Sequence, residues 1–460
     1  MLKKNDLLTL EVYDITNLGF GVARAEGQVV FISDAVPGDE VEARIIKLAS
    51  SYAVGRVEKY IRRSPDRVCG RCSVAACKSC AYKAISYEKE LEIKEESVRQ
   101  IFKKAGLAEV KVERVVPSPA TCGYRNKAQY PISMGRGGEY IIGFYAPKSH
   151  RVTEAAGCPL APSGFEEILE SCRAFFTEKR LSVYDEESGK GLLRHIYLRR
   201  GEVSGEVLLT LVINGTELPC SEELVSRITA SHPEVVGVLL NINKKDTNVV
   251  LGDEYLTLYG RDYIFDTLAG ARLKITAPSF YQVNHDAAEM LYAKARELAA
   301  LTGGELVLDL YCGAGSIGLS MADACREVVG IEIVESAVEC ARYNAESNGI
   351  KNASFYSGDA SEAARLLSPA EAQRGERIRP DAVIFDPPRG GTTEELIKHV
   401  SSLAPQRIVY ISCNPATLAR DMVVFERCGY IGKSVTPFDL FPGTGHVESV
   451  VCLTQSAKAT

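Results

Sequence analysis

The chain has 460 residues, of which 46% are hydrophobic and 25% charged, with a formal net charge of −6. That is more than one typical domain. No window has the length and apolarity of a membrane helix, and Met1-Leu2-Lys3-Lys4-Asn5-Asp6 lacks the apolar stretch of a signal peptide, so a cytoplasmic globular protein is expected.

Charge and cysteine are unevenly spread. Residues 1–130 carry 22 Lys and Arg against 17 Asp and Glu, and the rest carries 32 against 43. A mildly basic front on an acidic back is compatible with RNA docking at one end, although the net charge alone argues against a nucleic-acid binder. Fourteen Cys in a reducing compartment argue for metal ligation or catalysis rather than disulfides.

In chain order, residues 1–62 alternate short apolar runs such as Val29-Val30-Phe31-Ile32 with Gly-bearing turns. Period-2 patterning at this spacing predicts a small five-stranded barrel of the oligonucleotide-binding type. A Cys cluster follows, Cys69, Cys72, Cys77 and Cys80, four thiols in twelve residues. The two C-x2-C pairs suit zinc. Alternatively, three of them with the distant Cys158, which precedes Pro159, suit an iron–sulfur cluster.

Residues 87–105 read as a charged helix with apolar Leu91, Val98, Ile101 and Phe102, stopped by Gly106. Residues 110–270 look mainly β, with strands at 193–199, 207–212, 236–242 and 249–251. From Ala277 onward apolar strand runs alternate with helical periods, the sign of a parallel sheet with crossover helices. The strands are placed at 306–311, 328–332, 353–356, 382–386 and 407–411.

The motifs of this last region carry chemistry. Asp309-Leu-Tyr-Cys-Gly313-Ala-Gly315-Ser-Ile-Gly318 occupies a strand-to-helix turn where glycines allow close approach of a ligand. Glu332 ends the second strand, where it can accept from a ribose diol, and Asp359 follows the third, suited to an adenine amine. An acid after each of four strands (Asp309, Glu332, Asp359, Asp386) is the pattern of S-adenosylmethionine-dependent methyltransferases. Two prolines stiffen the Asp386-Pro387-Pro388-Arg389 loop. In Phe280-Tyr281-Gln282-Val283-Asn284 an aromatic could stack on a base and Gln282 could bond the cofactor.

Ile408-Val409-Tyr410-Ile411 ends abruptly in Ser412-Cys413-Asn414-Pro415, leaving Cys413 at the carboxyl end of a strand, where α/β sheets collect their chemistry. Carbon methylation of a pyrimidine needs such a thiol. C5 of uracil is a poor nucleophile until a thiolate adds to C6, and a base must then remove the C5 proton. Glu448, opening an apolar strand after a Gly/Pro loop, is the candidate base.

These segments, in this order, resemble bacterial RNA (uracil-5-)-methyltransferases of the 23S ribosomal RNA type over nearly the whole chain. The resemblance implies an N-terminal OB-like TRAM barrel (1–62), a central mainly β domain with an iron–sulfur cluster (63–274), whose helix near 87–105 can pack on the catalytic domain, and a C-terminal Rossmann-like methyltransferase domain (275–460). It implies Cys413 as nucleophile and Glu448 as base. Gln282, Tyr311, Ser316, Glu332, Asp359 and Asp386 become contacts to S-adenosylmethionine, and Cys72, Cys77, Cys80 and Cys158 ligands of a [4Fe–4S] cluster. The chain departs from the family in a spacer between the first two ligands one residue short and in the extra thiol of Cys69. The expected partner is 23S ribosomal RNA, bound by a monomer without membrane contact. The same chemistry on transfer RNA and a non-catalytic RNA-binding protein are the alternatives.

Overall fold

The computed structural model describes residues 2–69, 72, 77, 79–147, 149–246, 248–360 and 379–456. The spacers of the Cys cluster, 70–71, 73–76 and 78, lie outside the described residues.

The front of the chain forms a six-stranded sheet: β1 (Leu7–Glu11), β2 (Asp14–Ile15), β3 (Phe20–Ala25), β4 (Gln28–Ser33), β5 (Glu40–Leu48) and β6 (Tyr52–Arg62), in the order β1-β5-β6-β4-β3-β2. The apolar alternation puts Val30, Ile32, Val41, Ala43, Ile45 and Ala53 inside. Five strands were expected. The sixth, β2, is a two-residue pairing of Asp14 and Ile15 with Val22 and Gly21, too short to show any periodicity.

Helix α1 (Tyr87–Lys104) starts at Ser86, whose side chain accepts from the Lys89 amide. Its buried residues are Glu90, Lys94, Val98 and Phe102, one per turn. Half of that stripe is charged, so apolar periodicity identifies only its lower end; Leu91, expected as apolar face, lies partly exposed. The helix and the short strand β7 (Lys111–Val112) turn away from their sequence neighbours and pack on the last third of the chain.

The central sheet has the order β10-β9-β8-β11-β12-β13-β14. Its strands are β8 (Lys127–Met134), β9 (Tyr140–Tyr145), β10 (Val152–Glu154), β11 (Leu193–Arg200), β12 (Val207–Ile213), β13 (Val235–Ile242) and β14 (Glu254–Gly260). Two helices that the β-rich reading missed, α2 (Phe165–Lys179) and α3 (Ser221–Ser231), cover one face through Phe165, Ile168, Phe175, Phe176, Leu224 and Ile228. The expected strand at 249–251 is instead a loop, in which the carbonyls of Val249 and Val250 accept from Asn243 Nδ2. The real edge strand, β14, is largely exposed, Leu256 and Tyr259 included.

A hairpin, β15 (Tyr263–Leu268) and β16 (Ala271–Thr276), leads into the last layer. There α4 (His285–Ala299), β17 (Leu306–Leu310), α5 (Ser316–Met321), β18 (Glu327–Glu332), α6 (Glu335–Ser347), β19 (Ala353–Ser357) and β20 (Ala382–Phe385) alternate, followed by α7 (Glu394–Ser402), β21 (Arg407–Ser412) and α8 (Pro415–Arg427). β22 (Tyr430–Phe438) and β23 (Glu448–Gln455) close the sheet, ordered β19-β18-β17-β20-β21-β23-β22-β7. β17 to β21 run parallel and β23 antiparallel. Every residue of β17 and β20 is buried, as parallel strands covered on both faces require. Strand order reverses between β17 and β20, so the crevice at their carboxyl ends is the place for a ligand. Among the described residues no helix is long and apolar enough to cross a membrane.

Candidate active site

The parallel sheet aims the ends of β20 and β21 at one edge, and antiparallel β23 begins at that same edge. The register pairs Phe385 with Tyr410 and Ser412 with Ser449. One residue further along each strand are Asp386, Cys413 and Glu448, which therefore meet at the mouth of the crevice. Three local devices fix the thiol. Ser412 Oγ accepts from the Asn414 amide at 3.1 Å, and Asn414 caps α8 through the Ala416 amide at 3.1 Å. Asn414 Nδ2 also donates to the Arg389 carbonyl at 3.2 Å, tying the strand end to the Asp-Pro-Pro-Arg loop. Cys413 thus sits just before a helix N-terminus, where a developing thiolate is favoured.

The electrostatics of the three groups are linked in one direction, from Asp386 to Glu448 and from both to Cys413. Burial pushes the Glu448 carboxyl up to about 8, reinforced by the Asp386 charge and opposed by Arg389. Burial alone takes Asp386 up to about 7. Burial and the Glu448 and Asp386 charges push the Cys413 thiol up to about 11, again against Arg389. Sequence reasoning quoted Arg389 only as part of a motif. The structure makes it the cation whose charge reaches both Cys413 and Glu448, and its place directly after the two prolines was the available signal.

The remaining expected contacts line the adjoining part of the edge. Gly313, at φ 53, has open space where a Cβ would stand, as close approach of a ligand requires. Glu332 accepts from the amides of Gly313 (3.1 Å) and Val334 (2.9 Å), so it braces the glycine turn and keeps lone pairs for a diol. Ser316 Oγ lies 3.0 Å from the hydroxyl of buried Tyr292, which the Gln282 side chain also reaches. The Tyr311 hydroxyl pairs with Thr392 Oγ1 at 3.1 Å, and the charges of Asp359 and Glu332 reach it. Tyr292 was not anticipated, because a helical tyrosine reads as core.

Two expectations are corrected. Asp309 does not follow its strand. It lies inside β17, fully buried, with Oδ2 accepting from the Gly318 amide at 2.9 Å, and burial pushes it up to about 7. It ties α5 to the sheet rather than facing a ligand. Tyr281 is no stacking surface: it is buried and its hydroxyl donates to Asp266 at 2.9 Å, whereas Phe280 is 66% exposed.

Cys72, Cys77, Cys80 and Cys158 line one cavity of about 270 Å³, together with Arg125, Lys127 and Val283, the neighbour of Gln282. Burial and the charges of the other three thiols push Cys80 up to about 12, while amides of Leu160 and Ala161 aim at Cys158. Cys69 is exposed and does not line the cavity. Among the described residues no three ligating side chains converge tightly enough to hold a metal ion as they stand.

Residues 241–456 match the family model described as tRNA (uracil-5-)-methyltransferase, and residues 3–57 match the TRAM domain. An RNA methyltransferase of Halalkalibacterium halodurans is 39% identical over 454 residues, 98% of each chain. One of Clostridium tetani is 37% identical over 98% of this chain and 97% of its own. Among solved structures, Pyrococcus abyssi tRNA (uracil-54, C5)-methyltransferase in complex with S-adenosyl-L-homocysteine superposes with a TM-score of 0.78, covering 97% of this chain and 100% of that one at 28% identity. A TRAM barrel in front, a methyltransferase sheet behind and relatives matched end to end place the chain in the S-adenosylmethionine-dependent RNA (uracil-5-)-methyltransferase family.

Proposed function

We propose that this enzyme methylates C5 of a uridine in 23S ribosomal RNA, through a covalent adduct between Cys413 and C6. The observation that carries the chemistry is the meeting of one thiol, one cation and one buried carboxyl at the end of β21: Cys413, Arg389 and Glu448. Cys413 Sγ, as thiolate, forms a bond to C6, and the electron pair of the C5–C6 double bond moves to C5 and O4. S-adenosylmethionine, when bound, supplies an electrophilic methyl group and a positive charge. Once C5 carries the methyl group, Glu448 takes the C5 proton, the double bond re-forms and the Cys413–C6 bond breaks. Glu448 must be ionised for this, so the displaced value near 8 makes proton removal faster as pH rises through that point.

Gln282, Tyr311, Ser316, Glu332, Asp359 and Asp386 are proposed to hold the cofactor around Gly313. For the cluster, the donor set fits a [4Fe–4S] group: four thiols round one cavity, with the cations of Arg125 and Lys127 beside them to offset thiolate charge. Cys72 rather than Cys69 completes that set, since Cys69 is exposed and does not line the cavity. The chemistry proposed needs no electron transfer, so the group holds structure or positions RNA. The enzyme is proposed to act as a cytoplasmic monomer.

Transfer RNA is the second reading, favoured by the matched family model and by the Pyrococcus abyssi neighbour. Mapping 5-methyluridine in both RNAs of a deletion strain decides between them: loss at a 23S position supports the first reading, and loss confined to transfer RNA replaces it with the second.

A further inference from the structure

The segment between β22 and β23, residues 439–447, ends directly at Glu448 and is held from several sides by parts of the chain remote in sequence. The deepest hold is ionic. Lys94 Nζ donates to Glu90 Oε1 at 2.6 Å, to Asp439 Oδ1 at 2.7 Å and to the Phe441 carbonyl at 3.3 Å. Their side chains are 1% exposed for Lys94 and 0% for both acids. Glu90 Oε1 also accepts from the Gly443 amide at 2.7 Å. A lysine this deep is retained only where its charge is matched and its donors are used. Here it pins both halves of the loop to α1.

The other holds come from the front of the chain. The Tyr82 amide, two residues after Cys80, donates to the Gly443 carbonyl at 2.9 Å. The backbone of Gly445 lies so close to the barrel that an added Cβ would stand 2.5 Å from the Asn17 carbonyl oxygen. One loop therefore touches the TRAM barrel, the Cys-bearing segment and α1 before it reaches Glu448. The residues on either side of Cys413 have holds outside this loop: Asn414 donates to Ser412 Oγ and to the Arg389 carbonyl.

We propose that Lys94 is a positioning residue for the resolving step of methyl transfer: through Asp439 and Glu90 it sets the loop that presents Glu448, and the barrel contact at Gly445 makes that setting depend on the RNA-binding front of the molecule. This rests on the reading of Glu448 as the base that takes the C5 proton. The two halves of the chemistry should separate, because the loop leads into the first residue of β23, Glu448, and not into Cys413.

The test uses the full chain carrying Lys94→Met, with adduct formation and adduct decay followed by rapid quench on denaturing gels and S-adenosylhomocysteine affinity by calorimetry. Decay is expected to slow by about tenfold to a hundredfold, the scale of a misplaced catalytic group, with formation and cofactor affinity within about threefold of wild type, so that adduct accumulates in turnover. Equal slowing of formation and decay, or unchanged decay, overturns the proposal. Should Lys94→Met not fold, Gly445→Ala, which pushes the loop off Asn17 without stranding a buried charge, is judged by the same split. Glu448→Gln serves as reference. If it traps no adduct, the underlying chemistry fails; if it traps adduct and neither other variant does, only the positioning role fails.

Discussion

Two places in this molecule hold partly buried thiols in opposite surroundings. At the end of β21 the charges of two carboxyls and one arginine reach a single thiol, Cys413. In the cavity beside β8 four thiols face Arg125 and Lys127. Burial pushes both up, to about 11 for Cys413 and about 12 for Cys80. The neighbours differ in kind. Carboxyls around one thiol can move protons, whereas four thiols around one cavity can share a metal ion. A cysteine's task is thus set by what its neighbours can exchange, and depth of burial alone does not distinguish the two places.

The largest effect that separates them is Cys413→Ala. It should abolish turnover, by about 10⁴-fold or more as for a removed nucleophile, with S-adenosylhomocysteine binding kept in calorimetry. Retained turnover would make the single thiol equivalent to the other four. Next, Glu448→Gln should cut turnover by about 10²–10⁴-fold and leave a protein–RNA adduct that survives denaturing electrophoresis. Cys158→Ala should change neither chemistry nor adduct directly. It should lower iron per chain in anaerobically purified protein, and an unchanged iron content would remove the four-thiol cavity from metal binding.

A pH series sharpens the contrast further. With Cys413 displaced to about 11, its alkylation by iodoacetamide, read by mass spectrometry of that peptide, should rise about tenfold per pH unit between pH 7 and 9, because only the thiolate reacts. A plateau below pH 8 would mean that the helix terminus and Arg389 outweigh the two carboxyls. The smallest effect expected is that of Tyr410→Phe. The Tyr410 hydroxyl donates to buried Asp421 at 2.6 Å behind the strand end, so its loss should cost about 1–2 kcal/mol in urea denaturation and leave turnover nearly intact.

Much of this was legible in the residues, for identifiable reasons. The catalytic strands are buried on both faces and therefore read as unbroken apolar runs, so β17, β18, β20 and β21 could be placed within a residue or two. Cys413 stood out because Pro415 ends such a run. What escaped was whatever depends on distant partners. The buried stripe of α1 includes Glu90 and Lys94, whose burial makes sense only beside Asp439, 345 residues from Lys94 in the chain. Asp309 looked like its three acidic counterparts, and only the Gly318 amide behind it shows that it points into the fold. The run Val249-Val250-Leu251 has the composition of a strand, but it forms a loop in which Asn243 donates to the carbonyls of Val249 and Val250.

The pairing of β7 with β22 has a consequence for the order of events during synthesis. Ser434 and Val435 pair with Lys111 and Val112, so the edge of the catalytic sheet is completed by a strand made more than three hundred residues earlier. The whole central domain is translated between the two halves of that contact. Until the last strands emerge, α1 carries a lysine and a glutamate on the face it will bury, with no Asp439 or Gly443 to receive them. Such long-range closure is slow. The barrel and the central sheet, whose pairings are nearer in sequence, can form first, and the methyltransferase sheet is the last part of the nascent chain to become whole.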